Sequence, residues 1–240
     1  RAADYADAVI AGDIPAGPFV RAACERFVRD LDRDDLYLSD DGDRWCRFLE
    51  KLPHVKGTWA RRKENFVLGE GQIFCTVNLY GAEVYCGATS EGQAWEVFRP
   101  ARQICQRFEE LSEHYGIEIN AKTLHVPEDG SRFAPVIGNP GDGASPSAGI
   151  ADEFHEHKTS DLVDTFTTGM GAREQPMMLY ITTAGTDTGG PCYAKRSDVI
   201  DILKGTVEDD AIFGIIFGID EDDAWDTVEA QKKANPNFGI

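Results

Sequence analysis

The stretch Ala148-Gly149-Ile150-Ala151-Asp152-Glu153 is a run of small apolar residues that stops on two adjacent carboxylates, and its reading decides the fold. Apolar residues without alternation read as a strand covered on both faces, and such strands belong to parallel sheets. The next run downstream, Met177-Met178-Leu179-Tyr180-Ile181, stops in the same manner on Thr182-Thr183-Ala184-Gly185. Upstream, Ala82-Glu83-Val84-Tyr85-Cys86-Gly87-Ala88 stops on Thr89-Ser90. Helical patterns separate the three. Ser90 reads as the N-cap of a helix carrying Ala94, Trp95, Val97, Phe98, Ala101, Ile104, Cys105 and Phe108 on a broad apolar face, and further helices are expected over 160–170 and 192–204. Strands alternating with helices predict an α/β fold, a mostly parallel sheet flanked by helices. The three polar strand ends then share one edge, the edge where open α/β sheets bind ligands.

The runs 117–126 and 132–137, joined by Pro127-Glu128-Asp129-Gly130, read as a hairpin, and the apolar run 212–219 reads as a last buried strand before an acidic turn at 220–223. Ahead of the sheet, Phe19, Val20, Ala23, Cys24, Phe27, Val28 and Leu31 recur at helical spacing behind Pro18, and Trp45, Phe48, Leu49 and Leu52 mark a second helix closed by Pro53. The expected organisation is a helical N-terminal section over 1–58 and an α/β domain over 59–240.

Hydrophobic residues make up 42% of the 240 and charged residues 28%, values of an ordinary folded chain. No apolar run approaches the ~20 residues that cross a bilayer. The net charge of −18 repels polyanions, which argues against generic coating of nucleic acid or anionic lipid; any DNA contact is expected to be local or to come from parts of the protein outside these residues. The six cysteines are scattered without a CxxC pair and read as reduced thiols of a cytoplasmic protein. The chain opens on Arg1 instead of methionine and stops at Asn-Phe-Gly-Ile, as a piece of a longer protein would.

Three groups bear on chemistry. An aspartate at a strand end suits a Mg²⁺ held through water, and a neighbouring glutamate suits polarising an attacking water; strand alternation puts the two on different sides of the chain. The same pair also occurs as a helix cap followed by a surface acid. The hydroxyls of Thr182 and Thr183 face the ligand-binding edge, although a Thr-rich turn has the same appearance. His155 and His157 lack the HExxH spacing of a zinc helix, so His155 is expected to pack beside the sheet edge or to orient Glu153. Gly138-Asn139-Pro140-Gly141-Asp142-Gly143 has no lysine, precedes a strand, and carries an aspartate that would repel phosphate; it reads as a loop.

Strung together, these segments resemble the ATPase half of phage terminase large subunits, a P-loop NTPase fold of the ASCE type. The resemblance rests on Leu52-Pro53-His54-Val55-Lys56-Gly57, on 81–90 with Gln93-Ala94, on Ile150-Ala151-Asp152-Glu153-Phe154-His155, on Gly171-Ala172-Arg173-Glu174-Gln175-Pro176, on 181–185, and on Lys233-Ala234-Asn235-Pro236-Asn237, all in the family's order. It implies ATP and Mg²⁺ as cofactors, Asp152 as the Walker B aspartate on Mg²⁺ and Glu153 as the catalytic glutamate. It also implies a coupling motif at 182–185, with Thr182 and Thr183 toward the nucleotide, Gln72 reading adenine, and Arg173 facing phosphate or bridging subunits. Implied partners are a terminase small subunit, a portal protein, viral double-stranded DNA held mainly by other parts of the protein, and further copies in a ring, in the cytoplasm of an infected bacterial host. The family's nuclease half would follow Ile240.

One departure matters more than any match. The family's Walker A loop, with its Gly-Lys-Ser/Thr, belongs between the glutamine segment and the Ala-Thr-Ser strand, and residues 71–87 contain no such triplet. Relative to the family, a strand, phosphate loop and helix are cut out near Tyr80-Gly81. Loss of the loop removes the backbone amides and lysine that hold phosphates, and loss of a strand leaves its neighbours with unpaired backbone groups unless they close up. As it stands the chain is expected not to hydrolyse ATP. Its charge further predicts weak binding of duplex DNA at physiological salt; a tight isotherm with a steep salt dependence would contradict this.

Overall fold

The computed structural model describes residues 1–33, 46–55, 57–67, 83–137, 145–173, 176–235 and 238. Gln72 and the Tyr80-Gly81 junction lie outside them. The chain divides into two compact units, one of Arg1–Lys51, Phe66–Asn78 and Lys195–Ile240, the other of Leu52–Asn65 and Leu79–Ala194. Among the described residues no helix is long and apolar enough to cross a membrane.

The second unit carries the sheet. Its strands are β1 (Glu83–Ala88), β2 (Glu118–Ile119), β3 (Leu124–Val126), β4 (Ser131–Ile137), β5 (Ala148–Asp152) and β6 (Met177–Ile181), in the order β2-β3-β4-β1-β5-β6. The four strands from β4 to β6 run parallel, and β2 and β3 add an antiparallel end. The expected hairpin is the β3–β4 pair. The run 117–126, expected as one strand, is two, because the chain reverses at 120–123 and pairs β2 with β3.

Alternation along β1 assigns its two faces. Cys86 points at the helix Glu91–Arg107, its Sγ donating to the Ala94 carbonyl at 3.6 Å, and Phe98 of that helix meets Phe133 of β4 at 5.5 Å between ring centres. Tyr85 and Gly87 point the other way, at the helix Asp161–Gly169. A Cβ on Gly87 would fall 2.5 Å from Leu162 Cδ2, and one on Gly149 would fall 3.0 Å from Phe166, so the two glycines let the fully buried Phe166 settle on the sheet. The sheet is thus covered on both faces where its strands are apolar throughout. Ser90 caps the Glu91–Arg107 helix as expected, its Oγ accepting from the Gln93 N–H at 3.3 Å.

The middle of this sheet is closed among the described residues. β1 is paired on both sides, by β4 and β5, and β5 on both sides, by β1 and β6. Among the described residues β6 is an edge.

In the first unit the helices Ala2–Ala11 and Pro18–Leu31 pack through Tyr5, Ala6, Val9, Val20, Cys24 and Phe27. The apolar run 212–219, expected as a buried strand, joins no sheet. Its residues Ile215 and Phe217 pack on that helix pair, and the carbonyl of Ile212 accepts from the buried Arg26 guanidinium at 2.6 Å in place of a strand partner. The run is apolar because it covers helices. Gly17 and Gly218 meet so closely that a side chain on Gly17 would collide with the Gly218 carbonyl oxygen.

The end of this unit is fastened by charge. Lys233, on the helix Val228–Ala234, puts Nζ 2.6 Å from Asp220 Oδ2 and 2.7 Å from Asp223 Oδ2, while Arg21 Nη2 lies 2.9 Å from Asp220 Oδ1. Hydrogen bonds from Lys233, with Arg21 helping at Asp220 and the Asp220 N–H at Asp223, hold both carboxyls below their ordinary 3.8; the same bonds push Lys233 above 10.5. Depressed carboxyls contribute stability that is present above pH 3.8 and is lost as pH falls through their folded values; the raised lysine contributes below 10.5 and ceases as pH rises through its folded value. Stability from this cluster is therefore flat through neutrality and falls on the acid side. Lys233→Met is expected to lower the urea midpoint at pH 7 and to flatten the decline below pH 3.8. Coincident acid limbs for the two proteins would show that the cluster contributes nothing.

Candidate functional site

Asp152 ends β5 opposite Ile181, which ends β6, so the carboxylate of one parallel strand and the hydroxyls that follow the other emerge side by side. Ala88, the last residue of β1, is 1% exposed beneath Thr89 and Ser90 at the neighbouring end. The three polar strand ends therefore lie on one edge. The Thr89 and Ser90 hydroxyls both turn to Gln93 Oε1, at 2.7 and 3.0 Å, and serve the start of the following helix.

Strand geometry ends at Asp152. Glu153 has φ +48° and ψ +49°, the left-handed region, and a turn of 3₁₀ helix follows over Phe154–Glu156. Simple alternation therefore does not place Glu153, because the chain turns there. A left-handed conformation costs a residue with a Cβ about 1–2 kcal/mol. Burial of Phe154 offsets it: the ring is 3% exposed, packs with Ala151 and Val163, and meets Tyr180 edge-on at 5.0 Å. Burying such a side chain is worth about 1.5–3 kcal/mol, so the kink is held by the residue after it.

His155 joins the two strand ends. Its backbone N–H donates to Thr182 Oγ1 at 2.9 Å, and its Nδ1 lies 3.1 Å from the same oxygen and 3.4 Å from Thr183 Oγ1. Because the Thr182 hydroxyl gives its own hydrogen to the Thr183 carbonyl at 2.9 Å, the ring contact requires Nδ1 to carry the hydrogen. The ring also sits 3.3 Å from Glu153 Oε2 through Nδ1 and 3.4 Å from Glu156 Oε1 through Nε2. Glu153 Oε2 is buried and makes no hydrogen bond, so the approach to His155 is one of charge and distance without good alignment. Gly185, at φ +65°, passes so close that a Cβ there would lie 2.7 Å from His155 Cβ. Cys192, at the start of the helix Pro191–Leu203, adds a weak contact from Sγ to Thr182 Oγ1 at 3.8 Å.

Burial disfavours charge on two groups beside Asp152. Burial, with the Asp152 charge adding to it, pushes the Cys86 thiol up to about 12, which excludes thiolate chemistry there. Burial pushes His157 down, while a hydrogen bond to the Asp152 backbone pulls it partly back; its ring packs on Phe154 at 5.3 Å. It braces the turn. Phe154, His157 and Cys192 escaped the sequence reading, for which they were an apolar residue, a second histidine and one thiol among six; their position appears only once β5 and β6 are set side by side.

Arg173 is not at this edge. It precedes β6, and its Nε and Nη2 donate at 2.8 and 2.5 Å to the carbonyl of Ser145, ahead of β5, so it binds the two strands together at their amino ends. Asp152 alone at a strand end fits a Mg²⁺ held largely by water. The sequence contains no Gly-Lys-Ser/Thr triplet, the group that holds the phosphates accompanying such an ion in P-loop enzymes.

The parallel core, with carboxylates and hydroxyls on its carboxyl edge, defines an α/β fold of the P-loop nucleotide hydrolase class. Residues 74–200, more than half of the chain, match the family described as terminase large subunit, ATPase domain, and the chain belongs to that family. The match takes in Asp152, Glu153, Arg173, Thr182 and Thr183; Gln72 lies just ahead of it. Protein YmfN of Escherichia coli strain K12 is 53% identical over 100 residues, which are 42% of this chain and 22% of that protein. The crystal structure of the HK97 bacteriophage large terminase has the same fold, with a TM-score of 0.67 at 20% identity over 82% of this chain and 48% of that one. The chain thus spans under a quarter of the first and about half of the second.

If His155 ties the strand ends together, His155→Ala and Thr182→Val should not add. A double-mutant cycle by urea unfolding is expected to give a coupling of about 0.5–1.5 kcal/mol. Additive effects would mean that the two ends are held independently.

Proposed function

We propose that this chain is the ATPase portion of a phage terminase large subunit, which in the full-length protein drives viral DNA into a procapsid by Mg-ATP hydrolysis. The observation that carries the reading is the pair Asp152-Glu153 at the end of β5, bound through His155 to Thr182 and Thr183 at the end of the adjacent parallel strand. Residues 59–240 form the ATPase domain, preceded by a helical section over 1–58. Asp152 holds the metal through water, Glu153 takes the proton side of water activation, and residues 182–185 pass the state of that edge to the rest of the motor. The left-handed turn supports the second role, since it swings Glu153 out of the ladder and beside a histidine. Gln72 takes the adenine. Arg173 supports β5 and β6, and its place at the amino edge suits contact with a neighbouring subunit of a ring better than contact with the same subunit's nucleotide. Small subunit, portal and double-stranded DNA are the partners, in the cytoplasm of the bacterial host.

The missing Gly-Lys-Ser/Thr favours a second reading for the 240 residues as they stand, an interaction module that keeps the fold without the reaction. Calorimetry with Mg-ATP separates the two. No binding at micromolar concentration is expected for this chain. Insertion of a strand, a Gly-Lys-Ser/Thr loop and a helix between Tyr80 and Gly81 is expected to restore binding, and then Glu153→Gln should bind without turnover while Asp152→Ala loses the Mg²⁺ dependence. Tight binding by the chain without the insertion, or none with it, would overturn the assignment.

A further inference from the structure

Among the described residues two that are not glycine hold a positive φ, Glu153 and Lys63 at +58°. Lys63 follows the short helix Gly57–Arg62 and closes it, its N–H donating to the Ala60 carbonyl at 3.2 Å while the next N–H, of Glu64, donates to the Trp59 carbonyl at 3.1 Å. Glycine fills such a position without strain. A lysine there spends stability and completes the run Trp59-Ala60-Arg61-Arg62-Lys63 in a chain whose net charge is −18. No acidic residue occurs from Leu52 to Lys63. The turn is also built: Pro53 bridges Asn65, and the His54 N–H donates to the Glu64 carbonyl at 2.9 Å. His54 stacks on Trp59 with ring centres 5.5 Å apart and planes 27° apart, yet Trp59 remains 47% exposed. Among the described residues these cations make one ion pair, Arg62 to Glu64 at 3.7 Å, which joins side chains 66% and 45% exposed and competes weakly with an incoming anion.

An indole braced on one partner and open to solvent, beside three consecutive cations, matches the chemistry of an unpaired base flanked by phosphates. We infer that the Trp59–Lys63 turn is a contact for a single nucleic-acid strand, with Trp59 stacking on a base and Arg61, Arg62 and Lys63 taking phosphates. This does not draw on the Asp152 edge or on nucleotide hydrolysis. At about 0.1 M salt the Debye length is about 10 Å, so the patch acts locally despite the acidity of the whole chain.

The test is titration of the 240-residue protein with short oligo(dT) and with blunt duplex of equal length, followed by tryptophan fluorescence and anisotropy. Oligo(dT) is expected to bind better than the duplex and to quench fluorescence, with the quench absent in Trp59→Phe. Trp59→Ala should weaken binding roughly tenfold. The double variant Arg61→Glu/Arg62→Glu should abolish it. Lys63→Gly should melt no lower than the wild type, because it relieves the left-handed strain, yet bind more weakly with a salt slope shallower by about 0.7. This last variant keeps the proposal testable even if a charge reversal fails to fold. Equal binding of blunt duplex and oligo(dT), no loss in Trp59→Ala, or unchanged affinity and slope in Lys63→Gly would each overturn it.

Discussion

Burial of Phe154 beneath the ends of β5 and β6 is the constraint on which the functional edge depends. The strand ladder delivers Asp152 to the edge, but nothing in a ladder makes the next residue leave it. Phe154 accompanies that departure: directly after the left-handed Glu153 its ring is buried against Ala151, Val163 and Tyr180. The kink then brings the His155 N–H and ring onto Thr182, and the close passage of Gly185 leaves room for the imidazole. One apolar contact thus fixes a carboxylate, a histidine and a pair of hydroxyls relative to one another. The energies agree in sign: the gain from the ring is at least comparable to the backbone cost.

Much of this was legible in the sequence, for reasons that can be named. β1, β5 and β6 announce themselves because strands covered by helices on both faces need no polar alternation, and each stops on polar residues where the sheet stops. The hidden parts depend on contacts distant in sequence. Residues 212–219 have the composition of a buried strand, yet their apolar side chains cover helices, and only the Arg26 guanidinium reaching the Ile212 carbonyl reveals where the backbone bonds go. In the same way Arg173, in a turn that family resemblance places near phosphate, is held by a carbonyl at the opposite edge. Composition describes burial well and partners poorly.

Electrostatics divide along similar lines. The acidic stretch after Ser197 is partly a structural device, since Asp220 and Asp223 are held by Lys233 and Arg21 and fasten the final helix. These two carboxylates and two cations cancel within the overall −18, so the remaining residues still carry the whole net charge, and a small cationic turn such as Trp59–Lys63 stands out against it.

The fold and the chemistry of this chain are separable. β1 and β5 are each paired on both sides, and Phe154 and Phe166 are buried by neighbours within the same unit. Asp152 and Glu153 therefore keep their places whether or not phosphates are held nearby. The strands supply their own backbone partners, so the sheet does not draw its pairing from a bound nucleotide. The edge of β6 is where the two meet: it is the strand that carries Thr182 and Thr183 toward the site and, among the described residues, the one that pairs on a single side.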